Sequence, residues 1–569
     1  MTSADVLIQL HIMLTTLLTP LFFAAFQEPS LVSGAYRGPV DETQVEIVSF
    51  SSGAISPFGH VYTSIDSVWD RWEYWYEGER EFLASTTTEF GAGRNQFLIR
   101  SIPLVIEATL SDDPAVREAA VLSLGRIAYP AATSFIIDAT QDSNESVRQA
   151  AYVALGLMST HESALALVDV FMNTADSNAK GFAAIGMGLS GRIEASVCLD
   201  NFFGHVVTMS SWKGIDDLLI ASLVAASENT RIDYSDNLMA IVNVMEDRGA
   251  SSEAQVAAIN ALAATSNKSA HKEVVNSLLA KNEDVVVASI AALGHLKAKY
   301  AVAKLISMFE STHNPRLHGI IQIALGQIAS SDSVEFLINN KPSLANELYV
   351  RTTWMIAVGF AQISETYTQV ADTLLYGSDF NKHDDAVALR NDEYELRGAA
   401  ALSLGLYARP AARVQLEQCL KQPELNKDLL GNIATALGML GTKQANNILN
   451  KNADLFMSST SSRRGYATAL GMCQNTKSKM QLTQMLINGE DPTVRWTSAR
   501  AMSNNHNEQA LVKLLLTINE DIGAAVVSDR LAHLIMSIGY ISSASNSGTL
   551  GANVDHRQQN AMLNCLRSY

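Results

Sequence analysis

From residue 101 onward one phrase of about thirteen residues keeps returning, and a chain that repeats at this spacing has few ways to fold. Two adjacent copies read Asp113-Pro114-Ala115-Val116-Arg117-Glu118-Ala119-Ala120-Val121-Leu122-Ser123-Leu124-Gly125 and Asn144-Glu145-Ser146-Val147-Arg148-Gln149-Ala150-Ala151-Tyr152-Val153-Ala154-Leu155-Gly156, an offset of 31 residues. The small residue that ends the phrase recurs at Gly125, Gly156, Gly188, Ala226, Ala263, Gly294, Gly326, Gly359, Gly405, Gly438, Gly471, Ser503 and Gly539, which makes thirteen copies. The step from Gly359 to Gly405 is 46 residues, while the others fall between 31 and 38.

A period near 32 is that of a solenoid, in which each unit buries its apolar face only against its neighbours. Between one phrase and the next lies a shorter apolar segment, such as Ala131 to Thr140 or Ala301 to Phe309, with helical spacing and no strand-like alternation. Each copy is therefore a helical hairpin. The expected fold class is all-α, a right-handed α-solenoid of about thirteen stacked hairpins over residues 101–542 with almost no strand. A solenoid of this kind is expected to expose a long concave surface lined largely by the phrase helices.

Local signals agree. Asp113 can cap the free N–H groups of a helix whose first residue is Pro114, where a missing donor costs nothing, and Asp491-Pro492 repeats the device. Glycine inside a helix costs about 1 kcal/mol relative to Ala, yet ten copies accept it at the same place. Close approach of neighbouring helices offsets that cost, which makes Gly125, Gly156, Gly188, Gly294, Gly326, Gly359, Gly405, Gly438, Gly471 and Gly539 packing positions. Eight residues before the small position stand Arg117, Arg148, Arg351, Arg397, Arg463 and Arg495, with Lys180 as a seventh cation. These read as a ladder in which each guanidinium holds turn carbonyls or a neighbouring carboxylate. Val286, His318, Leu429 and Leu430 interrupt it, so it is not a continuous basic stripe.

The Val-Arg-x-x-Ala-x-x-x-Leu-Gly phrase resembles the second-helix signature of HEAT and HEAT-like repeats, including the phycobilisome lyase type, over residues 101–542. Gly431 to Gly438 and Arg464 to Gly471 also resemble proteasome/cyclosome repeats. Both resemblances imply stacked helical hairpins. The copies at Ala226 and Ala263 depart most from the phrase, which leaves their register open.

With 58 acidic side chains against 41 Lys plus Arg, the formal net charge is −17. Such a chain repels a phosphate backbone, so nucleic acid is excluded as a partner. Charged residues make up only 17%, well below the composition of a disordered chain. The four cysteines, Cys198, Cys419, Cys473 and Cys565, form no C-x-x-C pair and read as small apolar residues.

Residues 1–26 carry an apolar run from Val6 to Phe26, broken by Gln9, His11 and Pro20. It reads first as an export signal, with an uncleaved single membrane anchor or a buried first helix as alternatives. Residues 27–100 are acidic, with 11 acids against 5 bases, and hold Trp69, Trp72 and Trp75 at helical spacing. This segment is expected to cap the array, with a ligand-binding aromatic surface as the alternative. It resembles the Trp-rich stretch that precedes helical repeats in some exported bacterial proteins, which implies an exported, periplasmic or envelope-associated protein. Residues 543–569 read as a Ser/Gly linker and one short helix.

Chemistry is hard to find. Deoxyhypusine hydroxylases, which share this scaffold, present several His-Glu dipeptides to iron; here only His161-Glu162 occurs, too few carboxylates for that site. The insertion Gly377 to Asn391 holds Asp379, Asn381, His383, Asp384 and Asp385, but it lacks the turn glycine of a calcium loop and has Arg390 in place of the terminal Glu. It reads as a solvated acidic loop. No catalytic residue, metal ligand or cofactor is expected. The expected function is a non-enzymatic scaffold that binds an extended protein partner, and the rival is an exported lyase-like enzyme or pigment-handling factor that uses the groove as an active site.

Overall fold

The computed structural model describes residues 54–55, 61–62, 96–229, 231–343, 346–377, 394–423, 425–473, 475–489, 491–502, 517–518 and, in the last copy, 531–532, 534–536 and 538–539. Apart from the antiparallel pair Ala54–Ile55 with Val61–Tyr62, every regular element among them is helical. The fold is the expected all-α solenoid of paired hairpins. The described residues fall into two compact units, one within 34–289 and 486–551 and the other within 290–485.

In the first unit shorter helices alternate with phrase helices: α1 (Gln96–Ala108) leads into α2 (Pro114–Ile127), α3 (Thr133–Ala139) into α4 (Glu145–Met158), and α5 (His161–Asn173) into α6 (Ser177–Ser190). Next come α7 (Ile193–Thr208) before α8 (Asp216–Glu228), α9 (Ser235–Arg248) before α10 (Ser252–Ala264), and α11 (Lys268–Asn276) before α12 (Glu283–His295), whose last turns belong to the second unit. That unit continues with α13 (Val302–Ser311), α14 (Pro315–Ile328), α15 (Ser331–Asn339), α16 (Leu348–Phe360), α17 (Tyr367–Tyr376), α18 (Tyr394–Tyr407), α19 (Ala412–Cys419), α20 (Lys427–Leu440), α21 (Lys443–Lys451), α22 (Ala453–Phe456), α23 (Thr460–Met472) and α24 (Thr476–Asn488). The end of α24, α25 (Pro492–Ala501) and the helical residues of 531–539 belong to the first unit.

Each phrase is one helix, and its two ends explain why. At the start, Asp113 accepts from Ala115 N at 2.9 Å, while Asn144 and Asn314 do the same for α4 and α14. At the other end, the residue three beyond the small position enters the left-handed region: Ala128, Ser159, Gly191, Lys297, Ala329, Gln362, Ala408 and Gly441 all have positive φ. At several ends the N–H of this residue returns to the carbonyl of the small residue, as in Ser159 to Gly156 at 3.1 Å and Gly441 to Gly438 at 3.0 Å. The turn then launches the shorter helix that runs on to the next phrase helix, the second helix counted from each phrase.

Successive phrase helices touch in one register. A Cβ placed on Gly125 would lie 2.6 Å from Ala154 Cα, on Gly156 2.7 Å from Gly186 Cα, on Gly326 2.7 Å from Ala357 Cα, and on Gly438 2.7 Å from Ala469 Cα. In each case the partner stands two residues before the small position of the next copy. Gly188 meets Ala225 at 2.6 Å, which makes Ser227 the small residue of the fourth copy. The sequence alone points to Ala226, one residue early, because no Leu-Gly marks the position.

The core lies in the phrase helices. In α18 every residue from Leu396 to Tyr407 is buried, and in α20 every residue from Leu429 to Met439. The expectation that these helices line an exposed surface is therefore corrected among the described residues. Beyond its first turn a phrase helix has almost no accessible side, because neighbours of the same layer press on it at backbone distance.

Candidate interaction surface

The cations at the start of the phrase helices serve structure. Arg117 forks onto Asp142 with two bonds of 2.8 Å, and its Nη1 donates to the carbonyls of Ser111 and Asp112 at 2.9 and 3.1 Å. The hydrogen bond from Arg117 holds the Asp142 carboxyl below its ordinary range, and the same bond raises Arg117. Arg148 donates to Asp142 O and Ser143 O, and Arg495 to Gly489 O at 2.8 Å. Arg351 and Lys180 lie half-buried in the first turns of α16 and α6, and Arg463 in that of α23.

His318 was counted as a break in this ladder, yet it performs the same task. Its Nε2 lies 2.9 Å from Thr312 O and 3.1 Å from Phe309 O, and its ring stacks on Phe309 at 4.2 Å. Gln255 likewise donates to Ala250 O at 3.1 Å. The feature common to the position is a long donor that reaches back to carbonyls at or just beyond the end of the preceding helix. A search for positive charge alone misses it.

Arg397 differs in depth. At 5% exposure its Nε donates to Leu374 O at 2.9 Å, and its Nη2 to Gln422 Oε1 at 2.5 Å with Cys419 Sγ at 3.4 Å. Burial pushes the Cys419 thiol up while Arg397 pulls it back. Burial also raises Cys473 to about 12. Cys198 is half-buried, and Cys565 lies outside the described residues.

The remaining packing glycines follow the same geometry. A Cβ on Gly294 would come 2.9 Å from Ala324 Cα, on Gly359 2.9 Å from Ser403 Cα, and on Gly405 3.1 Å from Ala436 Cα. Gly471 is buried in α23.

Exposed apolar groups sit on the second helices of the hairpins. Leu165 on α5 and Val197 on α7 are each 47% exposed and stand 32 residues apart, at equivalent positions of adjacent copies. Phe135, Met172 and Ile193 are also exposed on α3, α5 and α7. Exposed acids, Asp138, Glu162 and Asp169, lie among them. His161 Nδ1 meets Glu194 Oε1 at 2.6 Å and links the start of α5 to the start of α7. The surface over α3, α5 and α7 is thus apolar and acid-rimmed, and Leu165 and Val197 repeat across two adjacent copies.

Among the described residues no group of three or more His, Cys, Asp or Glu could hold a metal ion, and no helix is long and apolar enough to cross a membrane. Residues 1–26, the segment 27–95 apart from 54–55 and 61–62, and with it Trp69, Trp72 and Trp75, the insertion from residue 378 to 391, and 543–569 lie outside the described residues.

A family model of HEAT repeats matches residues 102–188, so the region from α1 to α6 carries HEAT-type repeats. No curated protein sequence matches the chain. Among solved structures, the complex of CpcE and CpcF of phycocyanin lyase from Nostoc sp. is similar at 18% identity and a TM-score of 0.29, over 44% of this chain and 95% of that one. Human deoxyhypusine hydroxylase is similar at 14% identity and a TM-score of 0.22, over 60% and 96%. Importin beta is similar at 13% identity and a TM-score of 0.32, over 81% of this chain and 64% of that one.

Proposed function

We propose that this chain is a non-enzymatic scaffold that binds an extended protein partner through side chains repeated along its hairpins, and that it works outside the cytoplasm with residues 1–26 as its export signal or single anchor. The observation that carries the reading is the exposed apolar surface of α3, α5 and α7, on which Leu165 and Val197 occupy equivalent positions of two adjacent copies. Repetition at a fixed rise suits a partner that is itself extended, because many weak contacts add along its length. Burial of the phrase helices weighs against contact along their length and favours the second helices. The net charge of −17 favours a protein partner over nucleic acid.

The test is chemical crosslinking of the full chain in the cell-envelope fraction, followed by mass spectrometry. Crosslinks from α5 and α7 to one protein, lost in a Leu165→Lys, Val197→Lys double variant that melts like wild type, are the expected result. Capture of DNA or RNA at physiological salt, or a double variant that crosslinks like wild type, overturns it.

A further inference from the structure

The last described copy touches the first as though the first were its successor. A Cβ on Gly539 would lie 2.9 Å from Ser123 Cα and 3.1 Å from Arg126 Cδ. Ser123 stands two residues before Gly125, so this contact has the register that joins Gly125 to Ala154 and Gly438 to Ala469. Ser123 Oγ also donates to Ile535 O at 2.9 Å, across 412 residues of chain. Ser123, Leu534, Ile535 and Ile538 have no exposure. All of these residues belong to the first compact unit.

We propose that the described residues 531–532, 534–536 and 538–539 form a latch that seals the flank of α2 and thereby keeps the first copies of the array folded. A terminal repeat ordinarily has one neighbour and frays, because its outer face lacks a partner. Here α2 has α4 on one flank and the latch residues Ile535 and Gly539 on the other, which accounts for the burial of Ala119 to Ile127 all round. The two contacts differ in how they form. The α2–α4 pair closes a short loop, whereas the latch must bring together residues 412 apart, so it pays more closure entropy and forms after the local hairpins. The last contact to form is the first to open, and its opening bares one flank of α2. The inference does not depend on the partner-binding reading.

Hydrogen exchange of the full chain, read peptide by peptide, tests it. Gly539→Leu should raise exchange in residues 114–127 by about tenfold and leave residues 427–440 within about twofold of wild type. Ser123→Ala, which removes the hydrogen bond and adds no bulk, should raise exchange in the same peptide by a smaller factor. Gly438→Leu should give the reverse pattern. Unchanged exchange in 114–127 for Gly539→Leu, or an equal rise in both peptides, overturns the latch. If Gly539→Leu does not accumulate as folded protein, Ser123→Ala decides alone: a local rise supports the latch and no rise overturns it.

Discussion

The two helices of a hairpin obey different rules. The phrase helix α20 is buried at every residue from Leu429 to Met439, and its glycine at 438 admits nothing larger than hydrogen. The second helix α5 buries Ala164, Leu167 and Phe171 along one stripe and leaves Leu165, Asp169 and Met172 to solvent. A helix touched on all sides is constrained at each position, so its sequence repeats as a legible phrase. A helix touched on one side needs only its stripe, and the rest of its surface is free to vary and to carry recognition.

The largest effect that this contrast predicts is from Gly438→Leu, which forces a side chain toward Ala469 Cα, 2.7 Å from the position of its Cβ. It should cost about 3 kcal/mol by overpacking, read as a drop in the urea midpoint. Leu165→Gln on α5 should cost less than about 0.5 kcal/mol by the same measurement. Equal losses would erase the distinction between the layers.

A second test probes depth within the first turn of the phrase helices. Arg397→Leu removes the donors to buried Leu374 O and to half-buried Gln422 Oε1, and should cost about 2 kcal/mol. Arg397→Lys should recover only part of this, since an ammonium cannot reproduce the fork. Full recovery by Lys would show that charge alone matters there.

What was readable in the sequence follows from the same contrast. The period, the thirteen copies, the hairpins and the caps at Asp113 and Asp491 could be read because they recur at fixed offsets within the most constrained helices. The register of the fourth copy could not, because Ser227 offers a hydroxymethyl where other copies offer glycine, and only the approach of Gly188 to Ala225 identifies it. His318 was passed over because its task depends on reach to carbonyls and not on charge. The contact of Ser123 with Ile535 spans 412 residues and leaves no periodic trace. The surface row at Leu165 and Val197 escaped notice for the reason that makes it available: nothing in the fold dictates it.

A third prediction sharpens the account of His318. His318→Leu should lose about 1 kcal/mol, because the carbonyls of Phe309 and Thr312 lose their shared donor, while His318→Arg should stay near wild type. If Arg destabilises as much as Leu, stacking on Phe309 is the main role of the ring.

A modest, pH-dependent effect belongs to the ion pair that joins the first two copies. Arg117 and Asp142 lie 2.8 Å apart with side chains 13% and 15% exposed, so solvent still screens them in part. The Asp142 carboxyl titrates below its ordinary value of 3.8 in the folded protein, chiefly because Arg117 donates to it. A depressed carboxylate stabilises the fold fully above its unfolded value and loses that contribution as pH falls through the folded one. Arg117→Met should therefore melt below wild type at pH 7, by an amount worth about 1 kcal/mol or less, and the gap should narrow as pH drops below 3.8. The part that survives in acid measures the bonds from Arg117 to Ser111 O and Asp112 O, which do not titrate. A gap independent of pH would assign the whole effect to those carbonyls and reduce Arg117 to the same role as His318.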